Sequence, residues 1–515
     1  MKKIVIVGST TMSDRLIYYF ESTGFGKTIG MFDDFESEGI IKYDRPILGK
    51  IKDIPQEYWT NFKDLGMDYI WLMGIWKTND SVIKEYCFEP ELIQEYTKAL
   101  KDFKEDDVIG SPYSIDSYEI SPTIGTKEEL LELKNFLNSL GIKLILDFIS
   151  NHFSVHSSLI KSKPDMFLSV GEEFYNRDPH TYFKSEFHEN KFFAHGRDPF
   201  FPAWQDTIQL NFFNLETRRF IIDTLIELTD LCDGVRCDMA MLSLSNVFDN
   251  TWSGALNYGE FEKPPIEFWK ECIDEVKDIR KDFVFIGEAY WDLEWELQKM
   301  GFDYTYDKKL LDRLKVGQIS EIKGHLAAEK QYQKKSVRFI ENHDEDRAIA
   351  SLGKDKSKAA AVIMSTIDGM RLYYDGQFDG RRIKLPVQLG REPKEGFDDC
   401  MSKLYNNLLR ITNNEIFKMG DWNLLEAKEA WEGNKSYNNF LVWLLTYNGR
   451  KRLVVVNYSR EVAQCRIELD INNYPGKFKL KDILNSKTFY RKTEEVISEG
   501  LFIELGPFKS HIFSY

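Results

Sequence analysis

The chain has few cysteines, no long apolar run and no excess of positive charge. Its six cysteines stand at 87, 232, 237, 272, 400 and 465 with no CxxC spacing, so reduced thiols in a cytoplasmic protein are the expectation. No stretch approaches the ~20 apolar residues of a membrane span. The apolar start, Ile4-Val5-Ile6-Val7-Gly8, is short and reads as a strand, not as a signal peptide. A formal net charge of −15 argues against nucleic acid or an anionic membrane as partner, because polyanions repel an acidic surface. Internal repeats and low-complexity tracts are missing, and the glycines of the N-terminal region do not form a GxGxxG phosphate loop.

Aromatic side chains are abundant, at 14% of residues. Most belong in a core, and some can serve as stacking platforms for sugar faces. Strand and helix signals alternate. Residues 69–73 are a short apolar run. Thr126 and Glu129 form a capping box, Leu130, Leu133, Leu137 and Leu140 line one helical face, and Gly141 stops the helix. Residues 142–148 then read as a fully buried strand. The cycle repeats as helix 215–231 and strand 234–238, then helix 266–280 and strand 283–288. Residues 337–341 and 370–374 look like two more strands. Repeated βα units imply a parallel sheet, and their number suits a closed (β/α)8 TIM barrel.

Three regions break the rhythm. Residues 1–45 make a βαβ-like start, with a helix over 14–21 and a second strand over 27–32. It is expected to supply the first barrel strand and packing around it. Residues 151–212 are too long and irregular for a simple loop and read as an inserted domain. From residue 415 onward short alternating strands appear at 440–446, 452–457, 464–469 and 502–505, the pattern of an antiparallel β domain. The expected division is a barrel from 1–150 and 213–414, an insert at 151–212, and a C-terminal domain at 415–515.

Four motifs close apolar runs with carboxylates: Asp147-Phe148-Ile149-Ser150-Asn151-His152, Gly234-Val235-Arg236-Cys237-Asp238, Gly287-Glu288-Ala289-Tyr290, and Glu341-Asn342-His343-Asp344. Strand C-terminal ends converge on one face of a barrel. Glycosidic bond cleavage with retention needs an ionised carboxylate and a carboxylic acid flanking the bond. Arg236 and Asp238 are two apart on a strand and so point to the same side, a nucleophile with its charge partner. Glu288 ends an apolar strand that can desolvate it and keep it protonated as the acid. Asp344 and His343 are placed to grip sugar hydroxyls. Singly, each Asp reads as a turn residue and each His as structural; their conjunction on successive strand ends overturns that.

With these motifs in order, the chain resembles the α-amylase family, glycoside hydrolase family thirteen. Asp147, Asn151 and His152 match its first motif; Gly234, Arg236 and Asp238 its second; Glu288 its third; Asn342, His343 and Asp344 its fourth. The stretch from Ser111-Pro112-Tyr113 to Thr126 and the triplet Gln209-Leu210-Asn211 resemble further family segments. The likeness runs from about residue 55 to the C-terminus. It implies a barrel with an inserted domain B after the third strand and a C-terminal antiparallel β-sandwich. It also implies Asp238 as nucleophile, Glu288 as acid/base and Asp344 as transition-state stabiliser. Tyr113 would be a stacking platform, with His152, Arg236 and His343 on the same sugar. Asp147 would be a scaffold for Asn151 and His152.

There are departures. Many members carry Lys-His three and four residues after the nucleophile; here Met241 and Leu242 stand there, which removes a leaving-side sugar contact. The chemistry requires no cofactor. Asn151 keeps a position that binds Ca2+ in many members, without a full ligand set beside it. His152 and His156 lack the Glu of a zinc motif. Arg381, Arg382 and Arg391 read as surface ion pairs, with a phosphorylated sugar as the minority reading. The resulting expectation is a retaining α-glycoside hydrolase or transglycosidase acting on α-glucosidic oligosaccharides. Its alternatives are a phosphorolytic or phosphosugar-dependent transferase, and a catalytically silent sugar-binding barrel.

Overall fold

The computed structural model describes residues 1–8, 50–474 and 476–515. The helix and second strand expected between residues 14 and 32 lie outside the described residues. Eight parallel strands close into a barrel in sequence order: β1 (Lys3–Gly8), β2 (Tyr69–Met73), β3 (Lys143–Ile149), β4 (Gly234–Asp238), β5 (Val284–Gly287), β6 (Tyr304–Tyr306), β7 (Ser336–Arg338) and β8 (Met370–Tyr374). The ring closes where Lys3 pairs with Arg371 and Ile6 with Tyr374, so the start of the chain does supply the first strand. Most of these strands are buried along their whole length, and β2 and β5 are apolar throughout, while β1, β4 and β8 bury charged side chains among apolar ones. β7, Ser-Val-Arg, is short and polar, and so is β6. It has three residues, Tyr-Thr-Tyr, between aspartates, too short and too polar to give a run.

The helices between strands start where the caps predict. α1 (Lys127–Ser139) has its capping box: Glu129 N–H donates to Thr126 Oγ1 at 3.3 Å and Thr126 N–H to Glu129 Oε2 at 3.0 Å. Gly141 takes φ +75° just past its end, where the left-handed backbone favours glycine. α2 (Leu215–Leu231) is capped by Asn214, whose side chain accepts from Glu216 N–H at 2.9 Å.

Between β3 and α2 the chain forms two small sheets. His152–Ser154 pairs with Thr207–Gln209, and Phe192–Ala194 lies between Ser169–Val170 and Tyr182–Lys184. The C-terminal region is a β-sandwich. A six-stranded antiparallel sheet containing Phe440–Tyr447, Arg450–Asn457 and Ser510–Ser514 faces a three-stranded one of Ala427–Lys428, Ala463–Ile467 and Leu501–Leu505. Val442, Leu453, Val455 and Phe513 meet Cys465, Ile467, Leu501 and Ile503 in a core of its own. Among the described residues no helix is long and apolar enough to cross a membrane.

Candidate active site

Strand register assembles the site. Arg236 on β4 pairs with Asp147 on β3, and Cys237 pairs with Gly287 on β5. The ladder continues past the strand ends, with Glu288 N–H bonding Cys237 O at 3.0 Å and Ala240 N–H bonding Glu288 O at 3.1 Å. Asp238 and Glu288 therefore stand abreast. Arg236, 1% exposed, lies beneath them and donates Nη1 to Asp238 Oδ1 and Nη2 to Glu288 Oε2, both at 2.7 Å. The pairing with Asp238 is the one expected. The second bond, to Glu288, depends on inter-strand register and has no signature along the chain.

Glu288 has two more donors: Met239 N–H on Oε2 and the Tyr290 hydroxyl on Oε1, each at 2.8 Å. Burial raises both the Asp238 and Glu288 carboxyls above the usual range, and Arg236 opposes the rise in both. The two carboxyls share that one guanidinium, each 2.7 Å from a nitrogen of it. So placed, they do not ionise independently, and the pair retains a proton more readily than either alone.

Asp344 is at the mouth with its side chain 44% exposed, and His343 Nε2 lies 3.1 Å from its Oδ2. The same nitrogen is 2.7 Å from the Tyr113 hydroxyl, and the two rings stack at 5.6 Å. Tyr113 is not on a barrel strand. It precedes Ile115–Ile120, which pairs with Trp76–Thr78 just beyond β2, and this brings its ring over Arg236 at 5.3 Å. His152 contacts the Tyr113 carbonyl at 3.2 Å and packs on Trp204 at 5.3 Å. Burial pushes His152 down to about 4 and His343 to about 3, so both rings are neutral at pH 7.

Asp147 differs from its expected role. Its partners are Trp71 Nε1 at 3.1 Å, Trp76 Nε1 on its backbone carbonyl at 2.7 Å, and Arg236 at 3.5 Å. It supports the arginine from below, while Asn151 bonds Gln209. Asn151 Oδ1 accepts from Gln209 Nε2 at 3.0 Å, and its Nδ2 donates to Gln209 Oε1 at 3.2 Å. Ca2+ takes six to eight oxygen ligands. One amide oxygen already bonded to an N–H does not fit that demand, and the described residues contain no group of three or more His, Cys, Asp or Glu able to hold a metal. His156 turns away and pairs with Glu85 at 2.9 Å.

The acids open into a cleft of about 950 Å³, lined by Tyr113, His152, Asp238, Glu288, His343 and Asp344 and walled by Trp204, His180 and Tyr290. Met241 and Leu242 are buried in the turn Ala240–Ser243, away from this cleft; Met239, with φ +43°, directly follows Asp238 and lines it. The side chains at 241 and 242 thus pack in the core and make no wall of the cleft. Arg391 bonds Asp107 and Asp102, Arg381 approaches Glu392, and Arg382 approaches Asp398. These are the ion pairs expected of them.

Sequence reasoning assigned no role to Trp71, Tyr306, Tyr290 or Trp204. Trp71 and Tyr306 sit inside the barrel at 5.1 and 5.6 Å from the Arg236 guanidinium. Tyr290 was visible, two residues after Glu288.

The family described as "Alpha amylase, catalytic domain" matches residues 49–395. Alpha-amylase MalA of Haloarcula japonica is 26% identical over 278 residues, covering 52% of this chain and 36% of that protein. Alpha-amylase 3 of Dictyoglomus thermophilum is 25% identical over 310 residues, covering 56% and 57%. The chain thus spans between about a third and somewhat over half the length of these relatives. Among solved structures, a noncanonic maltogenic alpha-amylase AmyB from Thermotoga neapolitana superposes with a TM-score of 0.66 at 18% identity, covering 100% of this chain and 98% of that one. An alpha-amylase from Lactobacillus plantarum gives 0.63 at 19%, covering 90% and 95%. These two share the fold. With the family match spanning most of the chain, the protein belongs to the α-amylase family.

Proposed function

We propose that the chain is a cytoplasmic hydrolase that cleaves α-glucosidic oligosaccharides with retention of configuration. Asp238 attacks the anomeric carbon while Glu288 gives its proton to the leaving oxygen. A glycosyl–Asp238 ester forms and the leaving sugar departs with the proton. Glu288, now ionised, takes a proton from water, whose oxygen displaces Asp238. Asp344, His343 and Tyr113 hold the sugar undergoing substitution. A sugar hydroxyl in place of water gives transfer by the same steps.

The observation that carries this reading is the single guanidinium shared by Asp238 and Glu288, 2.7 Å from each. Inverting enzymes separate their carboxyls by roughly 6.5–9.5 Å to seat a water, whereas retaining ones hold them close. Phosphorolysis draws no comparable support. The described residues lining the cleft include no Lys or Arg, and Lys384 beside it is engaged on the Asp344 carbonyl at 2.5 Å.

The test is incubation with maltohexaose, with and without inorganic phosphate, followed by chromatography and by NMR of the first-formed anomer. Shorter maltodextrins released as the α-anomer, independent of phosphate, are expected. An initial β-anomer contradicts retention, and absence of any product contradicts the hydrolase reading.

A further inference from the structure

The connection between β2 and α1 runs from residue 74 to 126, far longer than a simple βα loop of roughly 2–6 residues. Part of it is a helical hairpin, Asp80–Tyr86 and Pro90–Ala99. Asn79 caps the first helix, accepting from Ser81 N–H at 2.9 Å, and Pro90 opens the second. Cys87, Tyr96, Leu100 and Val108 pack with Leu385 and Leu389 in a small core separate from that of the barrel. The hairpin is therefore a packed element and not a slack loop.

It is fastened on two sides. Toward the chain after β8, Ile109 N–H donates to Gln388 O and Gly390 N–H to Asp107 O, both at 2.8 Å, while Arg391 bonds Asp107 at 2.7 Å and Asp102 at 3.1 Å. Toward the inserted domain, Glu85 pairs with His156 at 2.9 Å and Asn79 Nδ2 donates to His156 O at 3.3 Å. Just past the hairpin, Ser114 Oγ donates to Asp206 O at 2.7 Å. A wall thus runs from the chain after β8 to the inserted domain. Tyr86, Cys87, Glu89 and Leu92 of the hairpin line the cleft that holds the acids. Ile83, Val108 and Ile109 line a second cavity, of about 760 Å³. The hairpin stands between the two.

Its position decides which end of a substrate it meets. In the ring of strands, β2 and β3 lie on one side of β4, and β5 lies on the other. The acid Glu288 follows β5, so the leaving part departs on that side. Tyr113, which holds the sugar undergoing substitution, belongs to the segment that leaves the hairpin. The retained sugar, and the units attached to it toward the non-reducing end, therefore lie toward the wall.

We propose that the hairpin of residues 80–99 makes this protein a chain-end hydrolase: it shuts the retained-sugar end of the cleft, so that its substrates are linear α-glucans with a free non-reducing end, each cut releasing a short unit of fixed length. This rests on the hydrolase reading above. The cleft volume of about 950 Å³ is that of a ligand pocket, roughly 300–1,000 Å³, and not of a groove open along a polymer. Glu89 and Asp206 line the cleft beside the wall, and carboxylates accept from the hydroxyls of a terminal sugar. A chain that continues past the wall is rejected by clash.

The experiment compares kcat/KM of the full chain on three substrates: maltoheptaose, maltoheptaose with an ethylidene group on its non-reducing sugar, and β-cyclodextrin, which has no end. The blocked chain and the ring should each react at least ~100-fold more slowly than the free chain. Chromatography of the first minutes on maltoheptaose should show one short product and its complement. Trimming the wall in Tyr86→Ala/Leu92→Ala should raise the rate on the blocked chain, relative to the free one, by at least ~threefold. A blocked chain or ring hydrolysed by the wild type within about threefold of the free chain overturns the proposal. So does an initial ladder of all product lengths, and so does an unmoved ratio in the trimmed variant. In all of these the hydrolase reading stands. A wild-type protein inert toward all three substrates overturns that reading and this inference with it.

Discussion

Two buried clusters in this barrel use the same ingredients and behave oppositely. Around Arg338, Asp307 takes bonds from Arg338 and from His325 Nε2 at 2.9 Å, Gln333 bonds the His325 carbonyl at 2.6 Å, and Arg313 reaches His325 Nδ1 at 2.6 Å. Burial acts to raise Asp307, but Arg338 and His325 outweigh it and bring the carboxyl down to about 2. Around Arg236, one guanidinium meets Asp147, Asp238 and Glu288, and burial wins: both Asp238 and Glu288 are raised. The first cluster is a closed ion pair. The second has more acid than base and opens on a cleft, which leaves a proton available to move. The ratio of carboxylates to cations, together with access, separates a structural knot from a reactive centre.

The largest effect should come from removing one member of the reactive pair. Asp238→Asn and Glu288→Gln should each lower kcat on maltohexaose by at least ~10³-fold, with the melting temperature kept or raised because a crowded charge is lost. Next is the closed cluster. Arg338→Met strands Asp307 without its guanidinium and should cost about 3–5 kcal/mol in urea unfolding. At low temperature its kcat should be close to wild type; a variant that loses kcat but not stability would merge the two clusters into one functional unit.

Smaller effects sharpen the contrast. Tyr290→Phe removes a donor to the Glu288 carboxylate, so the acid becomes harder to ionise. The alkaline limb of kcat/KM should move up by as much as ~1 pH unit, with a modest rate loss. A limb that stays put or moves down would show that Tyr290 does not tune the acid. The smallest effect is a stability trend. Asp147 is raised by burial to about 7 from its usual 3.8. The folded state therefore binds the extra proton, and this contribution is full below pH 3.8 and lost as pH rises through about 7. Asp147→Asn should gain stability relative to wild type between pH 5 and 8 in paired melts. His152 and His343 act in the other direction. Their pKa values, about 4 and about 3, lie below the usual 6.5, so their contribution is present above 6.5 and is lost as pH falls through about 4 and about 3.

Much of the barrel was legible because a parallel strand buried on both faces reads as a near-continuous apolar run, as in β2 and β5. β6 was not, since Tyr304–Tyr306 is short and flanked by aspartates, and its place is decided by neighbours on both sides. The acids were legible because strand ends in a barrel share one face. What held them was less so. Trp71 reads as core inside Tyr-Ile-Trp-Leu-Met, and the pairing of β2 with β3 brings its indole N–H to Asp147. Met241 and Leu242 were read only as standing where many family members carry Lys-His, and nothing along the chain says where their side chains go. The left-handed backbone at Met239 turns the chain there and buries both.

In the proposed reaction Asp238 carries the sugar between two displacements. The most direct measurement is mass spectrometry of peptides from protein quenched with a slow fluorinated glucosyl fluoride. One glycosyl adduct is expected on the peptide bearing Asp238, absent in Asp238→Asn. An adduct on another residue, or turnover of the same reagent by Asp238→Asn at the wild-type rate, would contradict it.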